Sequence, residues 1–254
     1  MSAVHLIRRG NLAEIRLDNP RKMNAFSIDM LHQLATHLEA VERDDSRAVM
    51  VTAEGDRAFC TGADISAWGG LSPREFARFW VRNGHRIFDR LARLSKPTLA
   101  VLQGHCFGGG LEFAAACDIR VMAPKATIAL PEAGVGIVPG WGGTQRLARL
   151  IPEPMLKEMA LFGTRISADR AYAAGFVAAV SEDPHAAADT LLERAVTLSP
   201  RAVDINKSMI HAAVGEDKGA MIEALGSAAI AATEDRAEGV GAFQDKRKPE
   251  FTGK

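Results

Sequence analysis

What this chain does without narrows its function before any motif is read. It has no excess of charge: 31 Lys and Arg stand against 31 Asp and Glu in 254 residues, and no long basic or acidic block interrupts them. No electrostatic footprint for nucleic acid is therefore expected. Its three cysteines, Cys60, Cys106 and Cys117, show neither C-x-x-C pairing nor metal-ligand spacing. Reduced thiols in an intracellular, cytoplasmic protein without a metal are the expectation. No apolar run reaches the ~20 residues that a membrane helix needs. The opening residues Met1 to Ile7 lead straight into strand-like sequence, without the features of a secretory leader. Nucleotide fingerprints are missing as well. Gly134-Val135-Gly136-Ile137-Val138-Pro139-Gly140 has the wrong spacing for G-x-G-x-x-G, and no glycine run leads into Lys-Ser/Thr. The helix expected after Ser27 carries no comb of lysines, which weakens an RNA-binding reading.

What is present is an alternation of short apolar strands and helices. His5–Arg8 and Leu12–Leu17 around Gly10-Asn11 predict a hairpin, ended by Asn19-Pro20. Ser27 predicts the N-cap of a helix from Ile28 to about Glu42, with Met30, Leu31, Leu34 and Leu38 on one face. Ala48–Thr52 reads as a buried strand and Phe59–Ile65 as a glycine-bearing loop or strand end. Ser72-Pro73 opens a helix running to about Leu94. Thr98–Leu102 and Ile119–Ala123 read as strands on either side of a glycine run and a short helix ending near Ala116. The pattern predicts an α/β domain with parallel strands. After Gly134–Gly143 the sequence reads almost wholly as helix: Thr144–Leu150, Pro154–Leu161, Ala168–Ala174, Pro184–Leu198, Pro200–Ala213, Lys218–Ala231 and Arg236–Lys246. We expect an α/β core over residues 1–195 and a helical region over 196–254 whose spare faces serve subunit contacts.

Gly108-Gly109-Gly110-Leu111-Glu112 and Pro131-Glu132 are the segments with chemistry in them. Glycines let backbone approach a ligand closely, and a helix beginning there points free N–H groups and its positive dipole end at an oxyanion. Two nearby carboxyls could move protons. Taken singly, each glutamate has an ordinary explanation, a helix first turn for Glu112 and a Pro-Glu turn for Glu132.

The ordered set is more specific. Ala58-Phe59-Cys60-Thr61-Gly62-Ala63-Asp64-Ile65, then Gly104 and the glycine run to Glu112, then Cys117-Asp118, Pro131-Glu132 and Pro139-Gly140-Trp141-Gly142-Gly143-Thr144-Gln145-Arg146-Leu147 closely resemble the crotonase superfamily, in its enoyl-CoA hydratase/isomerase family. The likeness runs from Asn19-Pro20 and Asn24-Ala25 to Ala242-Phe243-Gln244-Asp245-Lys246-Arg247, almost the whole chain. The resemblance implies a spiral of β-β-α repeats with a helical C-terminal region, a homotrimer or homohexamer, and a coenzyme A thioester substrate with no separate cofactor. It implies an oxyanion hole from the N–H groups of Ala63 and Gly109, and hydratase acids at Glu112 and Glu132. The reaction implied is reversible addition of water to a 2-enoyl-CoA, as in fatty acid β-oxidation, with Glu112 deprotonating the water and Glu132 exchanging the proton at Cα.

By the same resemblance Ala63, Asp64, Ile65 and Ser66 grip the pantetheine and adenine side, Lys22 and Ala25 border the adenine, Gly140 and Trp141 belong to the binding loop, and Phe243 and Lys246 meet coenzyme A of a neighbouring subunit. Two features depart from the family pattern. Trp141 stands where many hydratases carry a small residue, and Ser66-Ala67-Trp68-Gly69-Gly70 is not the usual polar continuation. Both tryptophans either narrow the acyl pocket or pack in a core or subunit interface. His85, His105 and Cys106 read as structural. Competing readings are another crotonase reaction, such as carnitinyl-CoA dehydration or enoyl-CoA isomerisation, and a non-catalytic acyl-CoA-binding subunit.

Overall fold

The computed structural model describes residues 2–216 and 218–254. The hairpin forms as its sequence predicts. β1 (Ala3–Arg9) and β2 (Leu12–Asp18) pair antiparallel, turning at Gly10 with φ +57°. In α1 (Ile28–Arg43) the Ser27 hydroxyl accepts the Met30 N–H at 3.2 Å. Met30, Leu31, Leu34, Leu38 and Val41 form its buried stripe, and each such burial contributes about 1.5–3 kcal/mol to docking the helix.

Three strand pairs follow: β3 (Ala48–Ala53) with β4 (Ala58–Cys60), β5 (Thr98–Leu102) with β6 (His105–Phe107), and β7 (Ile119–Met122) with β8 (Thr127–Ala129). Between the first two pairs lie α2 (Ile65–Trp68), α3 (Pro73–Glu75) and α4 (Arg82–Ala92), and α5 (Gly109–Ala115) follows β6. A 3₁₀ turn at Glu132–Val135 follows β8. The chain continues through α6 (Gly143–Leu150), α7 (Glu153–Phe162), β9 (Ile166–Ser167), α8 (Ala168–Ala173), β10 (Ala179–Val180) and α9 (Pro184–Ala195).

The first strand of each pair joins a six-stranded sheet in the order β1-β2-β3-β5-β7-β10; the second joins a four-stranded sheet, β4-β6-β8-β9. Apart from the β1–β2 and β8–β9 pairings, all neighbours are parallel. This is the crotonase-type spiral of β-β-α repeats, an α/β fold. The period-2 alternation of strand side chains divides the larger sheet between two cores. Val49, Val51, Ala100 and Leu102 face the main core, while Ala48, Met50, Leu99 and Val101 join Ala188 and Leu192 of α9 on the other face. With both faces covered, β3 and β5 read as continuous apolar runs.

The helix expected from Ser72 to Leu94 is not uniform. Ser72 and Glu75 close a capping box at its start, but Phe76–Val81 widens into a π-helical turn before α4 resumes. Such a turn is an insertion in the hydrogen-bond ladder and leaves no mark in composition. β6, β8, β9 and β10, two or three residues each, are too short to show alternation and were not anticipated as strands.

The chain divides between Val203 and Asp204 into two compact units, within α10 (Pro200–Ala213). The second unit holds the end of α10, α11 (Lys218–Ala231) and α12 (Glu234–Gln244). Its tail returns to α12: Arg247 donates to both Glu238 oxygens at 2.6 and 2.9 Å, and Asp235 accepts from the Thr252 and Gly253 N–H groups. Ile210, Ile230, Phe243 and Phe251 of this unit are exposed.

Candidate active site

Three adjacent parallel strands of the small sheet deliver the site. Just past β4 lie Gly62 and Ala63; past β6 come Gly108 and α5; past β8 comes Glu132. Neighbouring strands run about 4.8 Å apart, so groups at equivalent distances beyond their ends converge. The cleft they form has a volume of about 180 Å³, with Ala63, Gly109, Glu112, Glu132 and Trp141 among its walls.

Two N–H groups meet at one side. Phe26 N–H donates to Gly62 O at 2.8 Å and Asp64 N–H to Phe26 O at 2.9 Å. Alternate residues of an extended segment point opposite ways, so the Ala63 N–H turns away from Phe26. Gly109, the first residue of α5, has no preceding turn to accept from its N–H. These two segments touch: a Cβ on Gly62 would lie 3.3 Å from Gly109 N. Gly110 brings the helix onto β4 backbone to backbone, since a Cβ there would sit 2.6 Å from the Cys60 carbonyl carbon.

Glu112 is on α5, one turn inside its start, and is 2% exposed. Its Oε1 accepts the N–H groups of Trp141 at 2.8 Å and Gly143 at 2.7 Å. Burial pushes its carboxyl above the ordinary range, opposed by those backbone donors and by the Arg146 charge. Glu132 is less supported, its own backbone N–H being the one donor that favours its anion. It is 7% exposed, and its Oε2 is buried without a hydrogen-bond partner. Burial first, and the charge of Glu112 second, push it up to about 7. Gly108, at φ +52°, leaves room for this carboxyl, since a Cβ there would lie 2.9 Å from Glu132 Oε1. The apolar residues Ile137, Val138 and Trp141 line the same cleft, but Val138 is 77% exposed.

The site thus has two carboxyls in opposed environments. Burial raises both; one accepts two N–H groups that favour its anion, and the other has a buried oxygen with no partner. Such a pair can act as base and acid on one substrate.

Trp141 belongs to both places that its sequence left open. It is 3% exposed, packs on Phe26, Phe88 and Trp80 at 5.1–6.1 Å between ring centroids, and still borders the cleft. Trp68 lines the mouth against Phe76, with its indole N–H buried and unpartnered. All three tryptophans of the chain therefore wall one cleft. Trp80 and Phe76 were missed by sequence reasoning because the π-helical turn aims them.

Of the other residues named from sequence, Ile65 and Gly140 line the cleft. Asp64 caps α2 by accepting from Ser66 N–H and hydroxyl, and Lys22 donates to its other oxygen at 2.5 Å, which holds the Asp64 carboxyl below its usual range. Ala25 is buried, its carbonyl bonded by Asn19. Phe243 and Lys246 lie in the second unit, both exposed. His105 hydrogen-bonds Thr127 and stacks on Phe107. Among the described residues no group of three His, Cys, Asp or Glu gathers as a metal site.

Known proteins bear on this arrangement. The profile of the family described as enoyl-CoA hydratase/isomerase matches residues 8–254. The chain is 34% identical over 257 residues to a short-chain-enoyl-CoA hydratase of Clostridium acetobutylicum, covering 98% of this chain and 97% of that one. It is 36% identical over 247 residues to a mitochondrial enoyl-CoA hydratase of Pongo abelii, covering 93% and 82%. The crystal structure of an enoyl-CoA hydratase from Bacillus anthracis superposes with TM-score 0.80 at 31% identity over 99% of both chains.

Proposed function

The chain belongs to the enoyl-CoA hydratase/isomerase family and is an enoyl-CoA hydratase, a hydro-lyase, and from that premise we propose how its residues carry the reaction. The thioester oxygen sits between the N–H groups of Ala63 and Gly109. The Glu112 carboxylate takes a proton from water as the water oxygen bonds to Cβ. The alkene electron pair moves through Cα onto the thioester oxygen, where the two donors favour the enolate over the ground state. The Glu132 carboxyl then gives its proton to Cα as the carbonyl reforms. Glu112 ends protonated and Glu132 ionised, and proton exchange between them resets the pair. Nothing is oxidised, and no prosthetic group is needed. The observation that carries this reading is the contrast between the two carboxyls, one bonded by two N–H groups and the other with a buried Oε2 that has no partner.

The direct test is the absorbance of the conjugated thioester: the chain should bleach crotonyl-CoA, whereas a silent acyl-CoA-binding subunit would leave it unchanged. The pair works while holding a single proton. Forward and reverse reactions use protonation isomers of that same state, so they must share one pH profile. We expect kcat/KM to fall as pH rises past about 7, where Glu132 loses its proton. A profile flat from pH 6 to 9 would remove Glu132 from the acid role.

The substrate is a small or medium acyl thioester, a reading supported by the Trp80 and Trp141 side chains in the cleft wall. Trp141→Ala should raise the preference for eight-carbon over four-carbon enoyl-CoA by roughly tenfold, the scale of pocket discrimination per methylene or two. Trp141→Phe serves if the alanine variant fails to fold. An unchanged chain-length profile would put Trp141 outside substrate reach.

The exposed apolar residues of the second unit, among them Ile210, Ile230 and Phe251, support assembly into a homotrimer or homohexamer. No helix among the described residues is long and apolar enough to cross a membrane. The balanced charge and three buried cysteines outside any disulfide support a cytoplasmic enzyme of β-oxidation type acting on free acyl-CoA.

A further inference from the structure

Glu112 lies on α5, but the groups that hold it come from the Pro139–Gly143 loop, and that loop is itself held by a buried cation. Arg146, on α6, is 4% exposed. Its Nη1 donates to the Trp141 carbonyl at 2.7 Å, and its Nη2 pairs with Asp89 of α4. Trp141 is therefore gripped at both ends of its backbone: its N–H by Glu112, its C=O by Arg146. Gly142 between them has φ +98°, and a Cβ there would sit 2.8 Å from Arg146 Cζ, so the guanidinium packs directly under the loop. The Arg146 N–H closes the turn onto Gly142 O at 2.9 Å. Asp89 completes the line outward, with His85 at 3.4 Å from its second oxygen.

We propose that Arg146, anchored by Asp89, is the positioning residue of the Glu112 base: it clamps the loop so that two N–H groups converge on Oε1. The proposal rests on the hydratase reading for its kinetic consequences only. A planar guanidinium suits the task because it reaches a carbonyl and a carboxylate at fixed angles, which an ammonium cannot do. Its charge also favours the ionised form of Glu112, the form that must meet water. A shift of the loop by an ångström would loosen both N–H bonds at once, and misplacement on that scale can cost ~10²-fold in rate.

The test uses the full chain with Arg146→Gln, Arg146→Lys and Asp89→Asn. The readouts are the kcat and KM for crotonyl-CoA and the titration of the Glu112 carboxyl by ¹³C NMR of glutamate-labelled protein, assigned with Glu112→Gln. Arg146→Gln should lower kcat by ~10²-fold with KM nearly unchanged, and move the Glu112 midpoint upward. Asp89→Asn, at a side chain that is 25% exposed, should move both in the same direction by less. Arg146→Lys should restore the midpoint but not the rate. Folded Arg146→Gln or Asp89→Asn protein with wild-type kcat and an unmoved midpoint overturns the proposal. The titration reads the clamp whatever the substrate, so an active-site reading that failed with crotonyl-CoA would be told apart from a clamp that failed.

Discussion

Glu132→Gln is expected to lower kcat for crotonyl-CoA hydration by ~10²–10⁴-fold, the usual share of a positioned proton donor. KM should change little. Glutamine matches glutamate in size and keeps the same space beside Gly108, so the acyl chain and the backbone donors meet an unchanged cleft. What is lost is the proton for Cα, because an amide cannot supply one. The same variant should be more stable than the parent at neutral and higher pH. A carboxyl whose folded-state value is raised from 4.5 to about 7 weakens the fold as pH climbs from the first value through the second. The destabilisation is absent below 4.5 and complete above about 7, on the order of 3 kcal/mol at most. Rate loss together with a higher melting temperature at pH 8 is a combination that damage to the fold cannot produce. A Glu132→Gln chain that adds water at the parental rate would refute the assignment.

Gly110→Ala is expected to have the larger effect on the protein itself. The added methyl would meet the Cys60 carbonyl, with its carbon 2.6 Å away. That obstacle is backbone within a parallel sheet, which cannot rotate aside as a side chain can. Overpacking of this kind costs about 1–3 kcal/mol and sometimes more; at the upper end the melting temperature falls by roughly 6–12 °C for a chain of this size. Activity should fall further than stability. Any lift of α5 from β4 carries the Gly109 N–H away from Ala63 and Glu112 away from its two donors. The check is thermal melting beside kcat on the soluble fraction. Melting within a degree of the parent, with full activity, would mean that helix and strand are not in contact at this point.

The sequence carried the fold where a signal was local and repeated. Ser27 and the stripe from Met30 to Leu38 located α1, and the bounds of α10 and α11 emerge as read. It failed where a strand is only two or three residues long. β6 and β8 are held by pairing with neighbours distant in sequence, and β9 and β10 by a single ladder step or two. The π-helical turn at Phe76–Val81 was illegible for another reason: its residues suit an ordinary helix, and only packing decides the extra residue per turn. That Ala63, Gly109, Glu112 and Glu132 belong to one place was legible through resemblance, because their surrounding motifs keep order and spacing, and all four line one cleft. Their difference in acidity was not. The hydrogen bonding behind it depends on Trp141 and Gly143, some thirty residues downstream, turning their N–H groups to Glu112 while Glu132 Oε2 is left without a partner. Trp141 shows the same limit, since composition cannot say that one indole is both core and cleft wall.

The small sheet hands its three strand ends to two kinds of chemical group, and they have unequal prospects under mutation. In the proposed mechanism the polarising donors are main-chain N–H groups, present whatever side chain the code specifies nearby, provided the chain can still approach. The acids are side chains, each replaceable by one codon change. Descendants of such a chain can therefore exchange the groups at 112 and 132 and still bind and activate a thioester. The heritable invariant of this catalyst is its backbone, and its reaction is the part open to drift.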